Sequence, residues 1–315
     1  MGEVLRMEDL MVRDRRHVII TGLDLRVEEG ERVALVGESG CGKTMSLRTI
    51  LDQLPADCEA YQGQVLFRGQ SLQGMDGKER RTVLFSHVGF VAQNTSACLH
   101  PSLKVSRQMY DCYRVQHPKA RKEEALERSR SLLMRLGMSD VDRVLASYPG
   151  QLSGGMRQRV SIALALLDDK DLLIADEPTS ALDAHIRRQI ESVYEDIARS
   201  GHLSMLLVSH DLGFVRRLAD RVYVMYAGRI VEEGTCEEIF SSPVHPYTKA
   251  LIELSSISKA ERGARLAELG GYVPATGRER PECAFLERCP YSGALCRQPL
   301  EVRILSPSHK VRCTL

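Results

Sequence analysis

Gly37-Glu38-Ser39-Gly40-Cys41-Gly42-Lys43-Thr44 satisfies the phosphate-binding pattern G-x-x-x-x-G-K-[ST] at every fixed position. Its flanks give the pattern a physical meaning. Arg32-Val33-Ala34-Leu35-Val36 is a short apolar run that reads as a buried strand, and Thr44 to Leu54 is helix-compatible and stopped by Pro55. The loop therefore joins a strand to a helix N-terminus, where backbone N–H groups and the helix dipole favour an anion. The glycines let the backbone approach phosphates with no Cβ in the way. Lys43 is placed to reach the β- and γ-phosphates, and the Thr44 hydroxyl to bind Mg²⁺. A Gly-rich turn that happens to carry a lysine would not need both the strand and the helix.

Outward from this loop the chain alternates strands and helices. Val4 to Leu10 and Leu23 to Val27 have the alternation of strands, and Gly63-Gln64-Val65-Leu66-Phe67-Arg68-Gly69 is a strand between glycines. Val88-Gly89-Phe90-Val91-Ala92 runs straight into Gln93. From Asn94 to about Ala165 the pattern is helical, with a helix expected over Pro118 to Leu136 and closed by Gly137. Strands return at Leu172 to Asp176 and Met205 to Ser209. Val222 to Tyr226 and Arg229 to Glu232 flank Ala227-Gly228 as a hairpin. This order predicts a largely parallel α/β core interrupted by a helical insert. Beyond Cys236 a helix is expected near Pro246 to Leu254, followed by a loop-rich stretch with Pro274, Pro281, Pro290, Pro299 and Pro307.

Composition narrows the class. A chain of 315 residues has room for about two domains. Lys+Arg 43 against Asp+Glu 42 leaves no net charge that would mark a nucleic-acid or anionic-membrane partner. No run approaches the roughly 18 apolar residues that span a bilayer, and the charged N-terminus lacks the apolar stretch of a signal peptide. A role at a membrane would then require another subunit as anchor. Of nine cysteines, Cys41, Cys58, Cys98, Cys112 and Cys236 are scattered, whereas Cys283, Cys289, Cys296 and Cys313 crowd the end.

Three further stretches extend the phosphate loop into a catalytic set. Leu173-Ile174-Ala175-Asp176-Glu177 is an apolar strand that delivers two carboxylates to a sheet edge. Asp176 is expected to hold Mg²⁺ and Glu177 to polarise the attacking water; an acidic helix cap is the plainer alternative. Leu152-Ser153-Gly154-Gly155-Met156-Arg157-Gln158 opens an apolar helix with a second anion-receptive N-terminus, or with an ordinary Ser cap. Two phosphate cradles in one chain point to a nucleotide shared between two subunits. Ser209-His210-Asp211 places a histidine at the C-terminal edge of a buried strand, where ligands bind in α/β sheets.

Taken together, these residues resemble the ATP-binding cassette (ABC) family over about Val4 to Glu238. The order is that of the family: Walker A loop Gly37 to Thr44, Q-loop Gln93, signature Leu152 to Gln158, Walker B Asp176 with Glu177, D-loop Ser180-Ala181-Leu182-Asp183, and switch His210. The resemblance implies a P-loop NTPase cassette, with a RecA-like core, an antiparallel β subdomain and a helical subdomain over about 94–165. It implies a cassette at 1–238 and a C-terminal extension at 239–315. It also implies two cassettes closing head to tail over two ATP molecules, with Ser153, Gly154, Gly155 and Gln158 belonging to the partner's ATP site. Gln93 would sense Mg²⁺ with Thr44 and Asp176 and touch a membrane subunit, and His210 would orient the γ-phosphate and water. All these positions carry the competent residue type, so an active hydrolytic site is expected. One departure stands out: Asp14-Arg15-Arg16-His17-Val18 replaces the stretch that usually carries an adenine-stacking aromatic, leaving an Arg guanidinium or His17 for that role.

The terminal cysteines are spaced C-x5-C-x6-C-x16-C. Four thiolates fit structural Zn²⁺ or an iron–sulfur cluster, although the C-x2-C pairs usual for zinc are absent; four unrelated free cysteines are the alternative. With Pro243-Val244-His245-Pro246-Tyr247-Thr248 before it, this tail is similar to that of ATPase subunits of oligopeptide, dipeptide and nickel importers. In that branch such cysteines can hold a [4Fe–4S] cluster, which the resemblance carries over to Cys283, Cys289, Cys296 and Cys313, while His245 and Tyr247 read as packing residues. The resemblance implies an ATPase at the cytoplasmic face of a membrane. It would pair with a second, different cassette and dock on two permease subunits fed by an extracytoplasmic binding protein. The expected solute is a short peptide, with nickel or a nickel chelate as runner-up. A soluble ABC ATPase acting on DNA or ribosomes, or an exporter ATPase, fits the sequence less well.

Overall fold

The computed structural model describes residues 2–180, 182–199, 201–256 and 282–315; Ala181, Pro274 and Pro281 lie outside them. The chain divides into two compact units, Met1–Met75 with Leu207–Leu315, and Asp76–Leu206.

The first unit opens with β1 (Glu3–Asp14) and β2 (Val18–Glu28), paired antiparallel with Leu5 opposite Val27 and Leu10 opposite Leu23. The expected alternation holds over Leu23 to Val27, whereas in β1 register shifts bury Val4 beside Leu5 and Leu10 beside Met11 and Val12. Both strands run several residues past the expected ends, because pairing between them continues to Arg13 opposite Val18. β3 (Arg32–Val36) leads into the phosphate loop, and β4 (Cys58–Phe67) covers the other side of β1 with β5 (Gln70–Ser71) outside it, in the order β2-β1-β4-β5. Gly63 marks a bulge where β4 crosses β1. It has φ +77°, and a Cβ there would stand 2.3 Å from the Asp9 carbonyl oxygen.

Helix α1 (Lys43–Ile50) follows the loop and stops before the expected Leu54, since Asp52 turns left-handed at φ +55°. The returning chain of the first unit supplies α9 (Leu212–Leu218), β9 (Arg221–Tyr226), β10 (Arg229–Thr235), α10 (Cys236–Ser241) and α11 (Pro246–Ser256). β9 lies parallel to β3, with Val33 opposite Arg221, and turns antiparallel into β10. Ala227 and Gly228, at φ +44° and +82°, form the tight turn expected of the hairpin. The C-terminal residues are built into the same unit. β11 (Arg303–Ile304) and β12 (Lys310–Val311) extend the sheet, with Glu232 of β10 opposite Val311. A core cluster joins Ala34, Val36, Val215, Val222, Val224, Tyr226, Tyr247 and Phe285.

The second unit carries the helices. α2 (Gly77–His87) precedes β6 (Val88–Val91), and α3 (Thr95–Cys98), α4 (Val105–Gln116), α5 (Lys122–Arg135), α6 (Val141–Ala146) and α7 (Gly154–Ala165) follow. β7 (Leu172–Asp176) lies parallel to β6 and is buried throughout. α8 (Ala184–Arg199) then leads to β8 (Ser204–Ser209), which carries the chain back to the first unit. α5 begins at Lys122, not at Pro118. The proline drives His117 out of helical geometry, and residues 118–121 are spent in a turn closed by Ala120 N–H to His117 O, 2.9 Å.

Candidate functional site

The phosphate loop is shaped by close approach. A Cβ on Gly37 would stand 2.2 Å from the Met225 carbonyl oxygen, so only glycine passes that strand. The hairpin turn buttresses the far side of the loop: Gly228 N–H donates to the Cys41 carbonyl at 2.8 Å. Lys43 is 6% exposed and folds over its own loop, donating to the carbonyls of Gly37 (2.8 Å) and Glu38 (2.9 Å). Gly42, at φ +112°, caps α1 and turns the chain so that Lys43 and Thr44 lie in the first helical turn. Cys41 is fully buried, and that burial pushes its thiol up, against the opposing pull of Lys43.

Glu38 is held at every handle. Its N–H donates to the Tyr247 hydroxyl (2.8 Å), its carbonyl accepts Lys43, and its carboxylate receives both prongs of Arg288 (2.7 and 3.0 Å). Nothing in the sequence marked Arg288. Tyr247, read as a packing residue, does pack, and it also hydrogen-bonds the loop. His210 follows β8 in the same unit, in a short link to α9 capped by Asp211, which accepts Phe214 N–H at 3.0 Å.

A cavity of about 590 Å³ lies against Arg13, Asp14, Arg15, Arg16, His17, Val18 and Ala56 to Glu59. This is the stretch where an adenine-stacking aromatic was missing. Asp14 pins the turn by accepting the N–H groups of Arg16 and His17, both at 2.6 Å, and those bonds hold its carboxyl below the usual range. Arg13 is committed elsewhere, to Glu59 at 2.7 Å and to the face of Tyr61 at 4.6 Å, which leaves Arg15, Arg16 and His17 as the stacking candidates of this stretch.

In the second unit, Asp176 ends β7 and is 5% exposed. Glu177 follows at φ +48°, a left-handed conformation that a non-glycine residue adopts only under constraint. Its carbonyl accepts both the N–H (3.2 Å) and the hydroxyl (3.0 Å) of Ser180, and Gln93 Nε2 reaches that same hydroxyl at 3.5 Å. Ser153 caps α7, accepting Met156 N–H at 3.3 Å, with Gly154 in open space and Gly155 tight against Ile186. Gln158, grouped by sequence with the partner's site, is directed inward: it is 3% exposed and donates to the Pro178 carbonyl at 2.9 Å, tying the signature helix to the segment after Glu177. Asp183 caps α8 by accepting His185 and Ile186 N–H groups at 3.1 and 3.0 Å.

A family model described as ABC transporter matches residues 20–180, which contain the phosphate loop, Gln93, the signature stretch and Asp176-Glu177, but neither Asp183 nor His210. The chain belongs to the ABC transporter family. It is an ATPase of the ABC type. A second model, described as the oligopeptide/dipeptide transporter C-terminal region, matches this ABC ATPase over residues 231–296. The dipeptide transport ATP-binding protein DppD of Bacillus subtilis is 39% identical over 94% of this chain and 88% of its own length. The oligopeptide transport ATP-binding protein OppF of Salmonella typhimurium is 36% identical over 93% and 86%. A dimeric ATP-binding cassette solved in a post-hydrolysis state with ADP and Pi superposes with a TM-score of 0.64 at 24% identity, over 74% of this chain and 98% of its own. A cassette from Clostridium perfringens, cbiO1, does so at 0.64 and 24%, over 77% and 92%. These structures establish the cassette fold.

The iron–sulfur expectation gains no support from the placed side chains. Among the described residues, no three His, Cys, Asp or Glu side chains are arranged to hold a metal ion. Cys283 and Cys289 pack against the aromatic core, and Cys296 Sγ lies 3.6 Å from the Thr314 hydroxyl. Burial, reinforced by the neighbouring Cys296, Cys313 and Cys289, pushes the Cys283 thiol up to about 11, and burial raises Cys289 as well. The donor set suits a cluster in kind; its arrangement here does not. Among the described residues no helix is long and apolar enough to cross a membrane.

Proposed function

We propose that this ABC ATPase drives import of di- or oligopeptides from the cytoplasmic face of a membrane. It would act with a second cassette, two permease subunits and an extracytoplasmic binding protein. The observation that carries this reading is the pairing, on one chain, of a cassette at 20–180 with an oligopeptide/dipeptide transporter C-terminal region at 231–296. The peptide names of the two relatives favour peptide over nickel as solute. The functional parts are then a cassette at 1–238, with a helical part at about 94–165, and an extension at 239–315.

In this reading Gly37 to Thr44 wrap the triphosphate, and Lys43 exchanges the Gly37 and Glu38 carbonyls for phosphate oxygens. Thr44, Asp176 and Gln93 supply the hard oxygen donors that suit Mg²⁺. Glu177 polarises the attacking water, and His210 orients it with the γ-phosphate. Ser153 and Gly154, exposed at the start of α7, close over the nucleotide of the partner cassette, with Asp183 near that junction. ATP binding closes the pair and hydrolysis reopens it.

Uptake in a deletion strain tests the assignment. Labelled di- and oligopeptides and radioactive nickel are followed in parallel, with wild-type and Lys43→Ala copies added back. Loss of peptide uptake restored only by wild type is the expected result; loss of nickel uptake alone would move the protein to the metal branch. A [4Fe–4S] cluster at Cys283, Cys289, Cys296 and Cys313 rests on the family resemblance alone, since the placed thiols form no metal-holding group among the described residues. Anaerobic purification followed by iron and acid-labile sulfide determination decides it, and absence of both leaves four free thiols.

A further inference from the structure

The C-terminal segment reaches into the phosphate loop at one residue. Arg288 is 5% exposed at its side chain and grips Glu38 with both guanidinium prongs, at 2.7 and 3.0 Å. It also donates to the Tyr226 hydroxyl at 3.2 Å, and its guanidinium lies 5.7 Å and 5.8 Å from the ring centres of Tyr226 and Phe285. A two-pronged, charge-assisted pair shielded in this way is held more firmly than a surface ion pair. Tyr247 adds a second grip on the same residue through the Glu38 N–H. Thus two residues from beyond position 239 fix Glu38, while its carbonyl faces Lys43.

Arg288 is itself set by the cysteine-bearing turn. Leu286 N–H donates to the Cys283 carbonyl at 3.1 Å, Arg288 N–H to the Phe285 carbonyl at 3.0 Å, and Cys283 N–H to the Cys296 carbonyl at 2.9 Å. Phe285, 1% exposed, plugs the turn between Tyr226 and Tyr247, at ring distances of 5.2 and 5.5 Å. A shift of the Cys283–Cys289 turn would therefore move the guanidinium that holds the loop.

We propose that Arg288 is a positioning residue for ATP binding: through Glu38 it holds the phosphate loop in the shape that receives the triphosphate, and so couples that loop to the cysteine-bearing C-terminal segment. The inference rests on the ATPase activity and is independent of the transported solute.

The test uses the full-length chain, with ATP affinity measured by calorimetry and kcat and KM by phosphate release. Arg288→Met and Glu38→Gln are each expected to weaken ATP binding and raise KM about tenfold, with kcat changed less than about twofold. Arg288→Lys, which keeps the charge but loses the fork, falls between wild type and Arg288→Met. The double variant Arg288→Met/Glu38→Gln is expected to be no weaker than either single variant by more than about twofold, because both remove one contact. Glu38→Gln keeps the test open should Arg288→Met fail to fold. Additive losses, an unshifted KM with less active protein, or tighter ATP binding in the variants would each overturn the proposal. Wild-type chain that bound no ATP would overturn the ATPase assignment as well, whereas wild-type binding with unshifted variants overturns this inference alone.

Discussion

Glu177 shows what a motif can and cannot convey at the scale of one residue. The sequence identified it as the carboxylate after an apolar strand. The left-handed backbone at φ +48°, stapled by two bonds from Ser180, is invisible to any pattern. That constraint fixes where the carboxylate emerges, and it is unaffected by an isosteric amide. Glu177→Gln should therefore leave ATP binding intact and lower kcat by about a hundredfold or more, the loss typical of a general base. Wild-type turnover in that variant would remove Glu177 from its role. The two signature glycines separate by the same local logic. A Cβ on Gly154 meets nothing closer than Leu182 at 4.0 Å, whereas one on Gly155 would stand 2.8 Å from the Ile186 Cγ2, a branch too close to the backbone to swing away. Gly155→Ala should cost about 1–3 kcal/mol of stability in urea titration. Gly154→Ala should keep the wild-type midpoint while lowering ATPase activity, because in the proposed assembly its open surface would close over the partner cassette's nucleotide. Equal midpoints for both variants would contradict this division.

Secondary-structure elements were legible where their patterning was self-contained. β3, β7 and β8 are apolar runs buried on both faces, and each lies within a residue of its expected bounds. The hairpin of β9 and β10 follows from Ala227-Gly228, since a two-residue turn demands positive φ at both positions. The misses have local causes. α2 buries only Leu84 of its eleven residues, so it shows no apolar stripe, although Asp76 capping the N–H groups of Lys78 and Glu79 left a cap signal in the sequence. What the hairpin does was also hidden, because its turn touches segments far away in the chain. Gly228 N–H supports the Cys41 carbonyl of the phosphate loop, and a Cβ at Gly228 would lie 2.3 Å from the Ile19 carbonyl oxygen. Gly228→Ala is thus strained by both its φ and its space. It should lower stability by about 2 kcal/mol or more and weaken ATP binding together with it. A variant with wild-type urea midpoint and ATP affinity would show that the turn and the loop are uncoupled.

Over the chain as a whole, the C-terminal extension is the part the sequence read least well. Its prolines pointed to a loop-rich stretch, yet its described residues are sewn into the first unit, in part through contacts some seventy residues apart. The Glu232 carboxylate, 1% exposed, accepts the N–H groups of Val244 (2.7 Å) and His245 (3.0 Å) and meets His309 Nε2 at 2.8 Å. Glu238 accepts the hydroxyls of Ser306 and Ser308 at 2.8 and 2.9 Å. Burial alone would raise Glu238; its hydrogen bonds from Thr235, Ser306 and Ser308 outweigh that and carry it down to about 2. Its carboxylate therefore contributes stability that is complete above about pH 4.5 and is lost as pH falls toward 2.

His245 acts in the same direction at higher pH. It is 1% exposed, its Nδ1 accepts Tyr247 N–H at 3.1 Å, and burial lowers its pKa from 6.5 to about 4. The unfolded chain takes up this proton first, so stability is full above about pH 6.5 and declines as pH falls through 4, by on the order of 3 kcal/mol. Asn places an acceptor oxygen near the Nδ1 position and does not titrate. His245→Asn should therefore flatten the curve of melting temperature against pH between 7 and 4, while the Glu238-dependent loss below about pH 4.5 remains. Because His245 sits two residues before Tyr247, which holds Glu38 in the phosphate loop, wild-type ATP affinity should weaken only as pH falls to about 4, where the folded imidazole itself takes up the proton. Parallel melting curves for wild type and variant would place the acid sensitivity elsewhere in the chain.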